Sequence, residues 1–254
     1  MFALSFTEVP LTFNADLIKI PNSLILVSTH NVASGCYSAC HRDDGNILLG
    51  CKDGVKILNP ITMEIIRCDL SYKKVYAVVE HSHSVYLLHQ EDNDCRVELC
   101  FSNLQVRQTL FDFRFSGNCT PEMAVSDRHV VIYNAHGSTS KKKLLIYSFC
   151  YRQTKTIQVA TAHSPCLLPD GHLLAAANYQ LVKYNIEDSK LTTIWTCEGL
   201  KNISRVCTDA HGFIFACAYA SVKTIYIISP AGKSLSFIID QKLPFHLLKK
   251  IRKF

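Results

Sequence analysis

The chain has 254 residues, of which 48% are hydrophobic and 19% are charged. These fractions exclude a disordered polypeptide, and the length is sufficient for one large all-β domain. The formal net charge of +6 is a modest basic excess, which by itself does not indicate nucleic-acid binding.

The N-terminal segment lacks the features of a signal peptide, and no apolar run is long enough to span a membrane. The 12 cysteines are scattered and form no Cys-x-x-Cys pair, so their spacing does not indicate a zinc site. Most lie in apolar runs, where cysteine behaves as a small buried hydrophobic residue. We therefore expect reduced cysteines, a cytoplasmic location, no cofactor, no metal and no membrane association.

The chain begins with three predicted strands, at residues 4–9, 12–20 and 23–28, and a turn signal then recurs along it. The signal is a cysteine, four residues and a glycine, followed at once by an apolar strand, at residues 40–45, 166–171 and 207–212. Degenerate copies precede the apolar segments at 85–89 and 130–134. Repeats of roughly 40–45 residues, each with four short strands, are typical of β-propeller blades.

The repeat predicts five blades in chain order, each with strands that we name a to d. The blades are expected at residues 36–70, 75–113, 121–160, 163–199 and 203–240. The first blade would have strands at 37–41, 46–51, 55–59 and 64–70. The fifth would have strands at 204–208, 213–218, 223–229 and 234–239.

The two ends of the chain have the right phase for a sixth blade. Residues 3–29 would supply its strands b, c and d, and residues 243–254 its strand a, which leaves no open edge. The alternative is that the ends are caps, or that the chain is part of a longer propeller. We therefore predict a single all-β domain over residues 1–254, a six-bladed β-propeller of four-stranded blades.

Two turn segments resemble the repeats of NHL-type propellers. They read DDGNILLG at 43–50 and DAHGFIFA at 209–216, and the fifth repeat continues to a turn of sequence ISPAGK at 228–233. The resemblance covers the first, fourth and fifth repeats best. Between strands b and c the family has Asp-x-x-Asn/His-Arg, whereas this chain has CKDG at 51–54 and YASV at 219–222. The resemblance implies a six-bladed, non-catalytic platform that binds protein or RNA.

Charge is distributed unequally between the two faces of the predicted propeller. The b–c face carries the d–a and b–c connections and is net basic, whereas the a–b face carries the a–b and c–d turns and is near neutral. Basic side chains with nearby aromatic rings can bind single-stranded RNA, although lysine is also ordinary in solvated loops. The candidate interaction residues of the b–c face are Lys52, Tyr72, Lys73, Lys74, Arg114, Lys141, Lys142, Lys143, Lys201, Lys223 and Lys242.

Three functions remain open from the sequence. The first is a monomeric, non-catalytic propeller that binds a protein partner, as the recognition part of a larger assembly. The second is an RNA-binding NHL-like propeller that uses the basic face. The third is a metal-dependent lactonase- or gluconolactonase-like hydrolase, for which the inner strands offer only Glu80, Glu122 and Asn178, and these do not form a recognisable ligand set.

Overall fold

A computed structural model describes most of the chain. The described backbone covers residues 2–13, 16–29, 35–67, 72–114, 120–135, 142–159, 163–177, 180–187, 190–197, 200, 202–209, 212–218, 224–232 and 234–239. Side chains are described for these residues except 2–13, 16–29, 66–67, 135, 163 and 234–239. Among the described residues, no helix is long and apolar enough to cross a membrane.

The strands are numbered in chain order. The first two are β1 (Phe2–Phe13) and β2 (Asp16–Thr29). The first and second blades consist of β3 (Cys36–His41), β4 (Ile47–Cys51), β5 (Gly54–Leu58), β6 (Ile65–Arg67), β7 (Lys73–His81), β8 (Ser84–Glu91), β9 (Asp94–Cys100) and β10 (Val106–Arg114). The third and fourth consist of β11 (Glu122–Val125), β12 (His129–Ala135), β13 (Lys142–Ser148), β14 (Gln153–Val159), β15 (His163–Leu167), β16 (Leu173–Ala177), β17 (Gln180–Glu187) and β18 (Lys190–Thr196). The fifth consists of β19 (Ile203–Thr208), β20 (Ile214–Ala218), β21 (Thr224–Ile228) and β22 (Ser234–Ile239).

Each blade is a four-stranded antiparallel sheet whose strands pair in chain order. The predicted strands of the first and fifth blades are confirmed, since every observed strand overlaps its predicted segment. Strand β16, which lies near the centre, is buried throughout, whereas the outermost strand β14 has only exposed and half-buried residues. This pattern follows because inner strands are covered by neighbouring blades and each d strand has one edge in solvent.

The innermost strands stand side by side in the order β3, β7, β11, β15 and β19. Hydrophobic clusters fill the spaces between successive blades: Leu88 of the second blade packs in one cluster with Ile132 of the third. Leu181 of the fourth blade packs in another with Ile214 of the fifth. Each sheet therefore buries its apolar faces against its neighbours, which explains why the repeat is found in series.

Side-chain oxygens on the innermost strands also join neighbouring blades. The Val78 N–H donates to Ser38 Oγ at 3.0 Å, between the first and second blades. The Val206 N–H donates to Ser164 Oγ at 3.0 Å, between the fourth and fifth. These buried oxygens accept hydrogen bonds from backbone N–H groups that are also buried and would otherwise lack a partner.

The predicted arrangement of the N-terminal strands is wrong. Residues 4–28 do not form three strands, because β1 and β2 make one long antiparallel pair from Phe2↔Thr29 to Phe13↔Asp16. The prediction placed strand breaks near Pro10 and Pro21. Each strand of a two-stranded ribbon has one unpaired edge, and proline, which has no N–H to donate, is tolerated there without a break.

The described residues therefore form five four-stranded blades and one two-stranded sheet, and a sixth four-stranded blade is not found among them. Strand β2 contacts β22, which places the N-terminal pair against the fifth blade. The strand expected at residues 243–254 lies outside the described residues.

Candidate functional site

The structure brings seven of the predicted b–c face residues to the same end of the blades. Lys52 lies between β4 and β5, Lys73 and Lys74 begin β7 after Tyr72, Arg114 ends β10, and Lys142 and Lys143 begin β13. Lys52, Lys73 and Arg114 are exposed, and the other four are half-buried. The remaining candidates, Lys141, Lys201, Lys223 and Lys242, lie outside the described residues.

The basic surface is interrupted at the second blade. The Lys74 ammonium donates to Gln90 Oε1 at 3.1 Å, which holds it beside the turn between β8 and β9. That turn exposes three carboxylates, Glu91, Asp92 and Asp94. An anionic ligand approaching Lys74 would therefore meet negative charge as well as positive.

Tyr72, which was expected to offer an aromatic ring on this face, is packed between the first and second blades. Its hydroxyl donates to Glu98, and its ring is tilted against His89 with 4.4 Å between the ring centroids. Burial, together with the neighbouring Glu98 carboxylate, raises the pKa of Tyr72. Burial lowers the pKa of His89 despite the same carboxylate. The ring therefore contributes to the blade interface more than to an open stacking surface.

The innermost strands enclose a narrow channel with a cavity of about 40 Å³, lined mainly by small and apolar side chains. Glu122, at the b–c end of β11, forms an ion pair with Arg205 and accepts a hydrogen bond from the Ser164 N–H. Glu80 lies near the opposite end, 3.8 Å from Arg42 Nε.

The ligand set of the hydrolase alternative is therefore not brought together. Glu80 and Glu122 stand at opposite ends of parallel-running strands, and Asn178 lies outside the described residues. In the described part of the chain, no three His, Cys, Asp or Glu residues lie close enough to hold a metal ion.

The cysteines of the repeated turn signal occupy buried positions, as predicted. Cys40, Cys166 and Cys207 are all buried on innermost strands. Elsewhere, burial raises the pKa of other thiols to about 12, and these are Cys95, Cys100 and Cys217. Thiols that stay protonated are poor nucleophiles and poor metal ligands, so these cysteines serve packing.

Two broad depressions lie on the a–b face. A central cavity of about 500 Å³ is lined by a–b turn residues of all five blades, including His41, His81, Arg128, Gly171 and Asp209. A second cavity of about 750 Å³ lies between the third and fourth blades, beside Phe149, Tyr151 and Ile186. Asp127 and Arg128 line both cavities, so the depression continues from the centre to the rim.

The turn between β7 and β8 holds the a–b face together across three blades. His83 Nδ1 lies 3.0 Å from Asp43 Oδ2 of the first blade. His81 Nε2 lies 2.8 Å from Asp127 Oδ1 of the third, and the Ser82 hydroxyl donates to the same oxygen at 3.0 Å. The hydrogen bond from His81 lowers the pKa of Asp127. These contacts connect the a–b turns of the first three blades at the surface.

Three successive c–d turns expose a large apolar side chain on the a–b face. Ile61 is 91% exposed in the first blade, Phe101 is 49% exposed in the second and Tyr151 is 62% exposed in the third. Sorting the sequence by charge alone missed these residues. The signal that could have found them is a large apolar residue in a polar turn, at the same place in three consecutive repeats.

Comparison with known proteins shows similarity of fold. No family model matches the chain, and no curated protein matches it, so the NHL resemblance stays a prediction. A chain of a nidogen/laminin complex superposes with a TM-score of 0.66 at 11% identity, over 99% of this chain and 95% of that one. TolB from Acinetobacter baumannii has a TM-score of 0.60 at 12% identity, over 82% of this chain, which spans 55% of TolB. A chain of the mitotic checkpoint complex has a TM-score of 0.56 at 11% identity, over 87% and 69% of the two chains.

Proposed function

We propose that this protein is a non-catalytic β-propeller that binds a protein partner through its a–b face. The observation that carries the proposal is that three successive c–d turns of this face expose the large apolar side chains of Ile61, Phe101 and Tyr151. Tyr151 also lines a depression that continues to the centre of the face. Exposed apolar surface with polar residues around it is typical of protein interaction sites. Two of the structural neighbours come from protein complexes, which agrees with this use of the fold.

The chemistry of the a–b face suits a protein more than a small ligand. Tyrosine, phenylalanine and arginine are enriched at interfaces and often carry most of the binding energy. Phe101 lies under the Arg107 guanidinium at 5.7 Å from the ring centroid, and Tyr151 stands beside the rim cavity that Arg128 also lines. A partner could bury its own side chains in the depression and cover these residues around it.

A comparison of two matched variants tests this proposal. In the first, Ile61, Phe101 and Tyr151 are changed to Ser; in the second, Lys52, Lys73 and Arg114 on the opposite face are changed to Ala. We expect proteins that bind the wild-type chain to be lost with the first variant and retained by the second. Retention by both variants, or loss with the second alone, would contradict the proposal, provided that circular dichroism shows both variants folded.

RNA binding through the b–c face is the second candidate, supported by the exposed Lys52, Lys73 and Arg114 at one end of the blades. It ranks below protein binding because of the carboxylates at the second blade. Titration with single-stranded and structured RNA at two salt concentrations tests it. A steep salt dependence that is reduced by changing residues 141–143 from Lys to Ala would support RNA binding. Affinity without salt dependence would count against it.

We also propose that residues 1–254 form one monomeric domain whose ring is closed at its ends. The contact between β2 and β22 supports closure by the terminal segments. The cytoplasmic location expected from the sequence stays a prediction, which imaging of a tagged full chain would test.

A further inference from the structure

Two cysteines lie opposite each other on adjacent strands of the first blade. Cys36 on β3 and Cys51 on β4 are direct partners in the antiparallel register. At the next position outward, the Lys52 N–H donates to the Gly35 carbonyl at 2.9 Å. Hydrogen-bonded and non-hydrogen-bonded pairs alternate along an antiparallel ladder, so Cys36 and Cys51 form a non-hydrogen-bonded pair. The Cα atoms of such a pair are about 4.5 Å apart, within the range of roughly 4.4–6.8 Å that a disulfide spans.

The pair combines a reachable sulfur with a buried one. Cys51 is buried, whereas Cys36 is half-buried and follows the exposed Gly35. Both are thiols in this structure, and the Cys36 thiol donates to the Ser38 carbonyl at 3.3 Å. Among the cysteines on the described strands, no other two are partners in the register. The arrangement is therefore specific to this blade.

We propose that Cys36 and Cys51 form a reversible redox site that reacts with small anionic disulfides of the glutathione class. The Cys36 thiolate attacks one sulfur of the oxidised disulfide, which breaks its S–S bond and releases one thiolate. The Cys51 thiolate then attacks the Cys36 sulfur of the mixed disulfide and expels the second thiolate. The protein loses two electrons and the small disulfide gains them, while the two protons from the cysteines pass to the two released thiolates.

Two exposed lysines near the pair favour this class of reactant, and the neighbouring carboxylate of Asp53 is paired with Lys56 Nζ at 3.1 Å. Lys52 follows Cys51 directly and is exposed, and Lys73 is exposed nearby, since the Lys74 N–H donates to the Lys52 carbonyl at 2.9 Å. Lysines at the entrance attract an anionic disulfide over a neutral one. The new bond would join β3 to β4 on the face of the first blade where both cysteines pack with Leu49. This inference does not depend on the proposed partner-binding function.

The test is to incubate the full-length protein with graded ratios of oxidised to reduced glutathione, block remaining thiols with an alkylating agent, and map disulfides by mass spectrometry. We expect a peptide linked through Cys36 and Cys51, which disappears on reduction. Cys36→Ser and Cys51→Ser should each abolish it, whereas Cys150→Ser, at an exposed thiol in a turn of the third blade, should leave it unchanged.

Two results would overturn the proposal, and both are read on the wild-type protein, so neither depends on a variant that folds. One is that Cys36 and Cys51 stay alkylated at glutathione ratios that modify Cys150. The other is that Cys36 carries a stable glutathione adduct, or pairs with a different cysteine, while Cys51 remains alkylated.

Discussion

At the scale of single residues, close approaches between neighbouring strands and blades decide which side chains are tolerated. Gly50 is the sharpest case, because a Cβ atom there would lie 2.5 Å from Ser38 Oγ and 2.7 Å from the Val75 carbonyl oxygen. The first contact would displace the hydroxyl that accepts the Val78 N–H. The second contact is with a backbone atom of β7, which cannot shift without displacing the strand.

Gly50→Ala is therefore expected to lower the free energy of unfolding by about 2 kcal/mol, the usual cost of overpacking a core. Urea denaturation followed by circular dichroism measures it. The matched control is Gly35→Ala, because a Cβ at Gly35 would meet no atom within 4 Å. Equal stability of the two variants would show that β4 and β7 are not packed as described.

The same scale explains which repeats the sequence could reveal. Gly45, Gly171 and Gly212 all have positive φ, between 81° and 86°, a conformation that favours glycine. The cysteine-and-glycine spacing therefore located these turns correctly. The second repeat makes its turn with Ser82 and His83, at φ of 49° and 58°, and so uses the same left-handed region without a glycine. In the sequence, the second repeat could therefore be located only from the spacing of its apolar strands.

At the scale of elements, neighbouring blades are joined by buried hydrogen bonds. Ser164→Ala removes the acceptor of the Val206 N–H and leaves that donor buried without a partner, so we expect a loss of about 2 kcal/mol in unfolding free energy. Chemical denaturation measures the loss. As a control, Ser102→Ala changes an exposed turn and should have little effect. A neutral Ser164→Ala would mean that the fourth and fifth blades do not depend on this bond.

The turn between β15 and β16 contains the clearest pH-dependent contact. Burial raises the pKa of Asp170, but hydrogen bonds from Lys183 and from the His172 side chain and backbone outweigh it, so the pKa falls from 3.8 to about 2. Because the folded pKa is the lower one, Asp170 stabilises the fold above pH 3.8, and this contribution is lost as the pH falls towards about 2.

Asp170→Asn should therefore be less stable than the wild type near neutral pH and should lose less stability on acidification. Denaturation midpoints measured between neutral pH and pH 2 compare the two proteins. Parallel pH profiles for both would contradict a charged contact between Asp170 and Lys183.

At the scale of the whole molecule, the period of the sequence predicted a propeller and the five blades built from β3 to β22, because each repeat carries similar strand and turn signals. The N-terminal strands were misassigned because proline marks a break only where both strand edges are paired. The b–c face was inferred from charge, which is readable in sequence. The depression on the a–b face arises from turns of all five blades, and such convergence cannot be seen in any one repeat.

Ring closure at the ends of the chain makes a prediction about cooperativity. If residues 243–254 supply the predicted closing strand, their deletion should expose an open sheet edge and abolish the single cooperative unfolding transition. Differential scanning calorimetry of the full and shortened chains measures this. An unchanged melting profile after deletion would show that those residues take no part in closure.

The central claim is that a protein partner binds the a–b face. Hydrogen–deuterium exchange of the chain, alone and with a partner captured by the wild type, tests it most directly. We predict slower exchange on binding in the c–d turns around Ile61, Phe101 and Tyr151 and in the a–b turn around Arg128. Slower exchange confined to residues 52–53, 72–74, 114 and 142–143 would place the partner on the b–c face and contradict the claim.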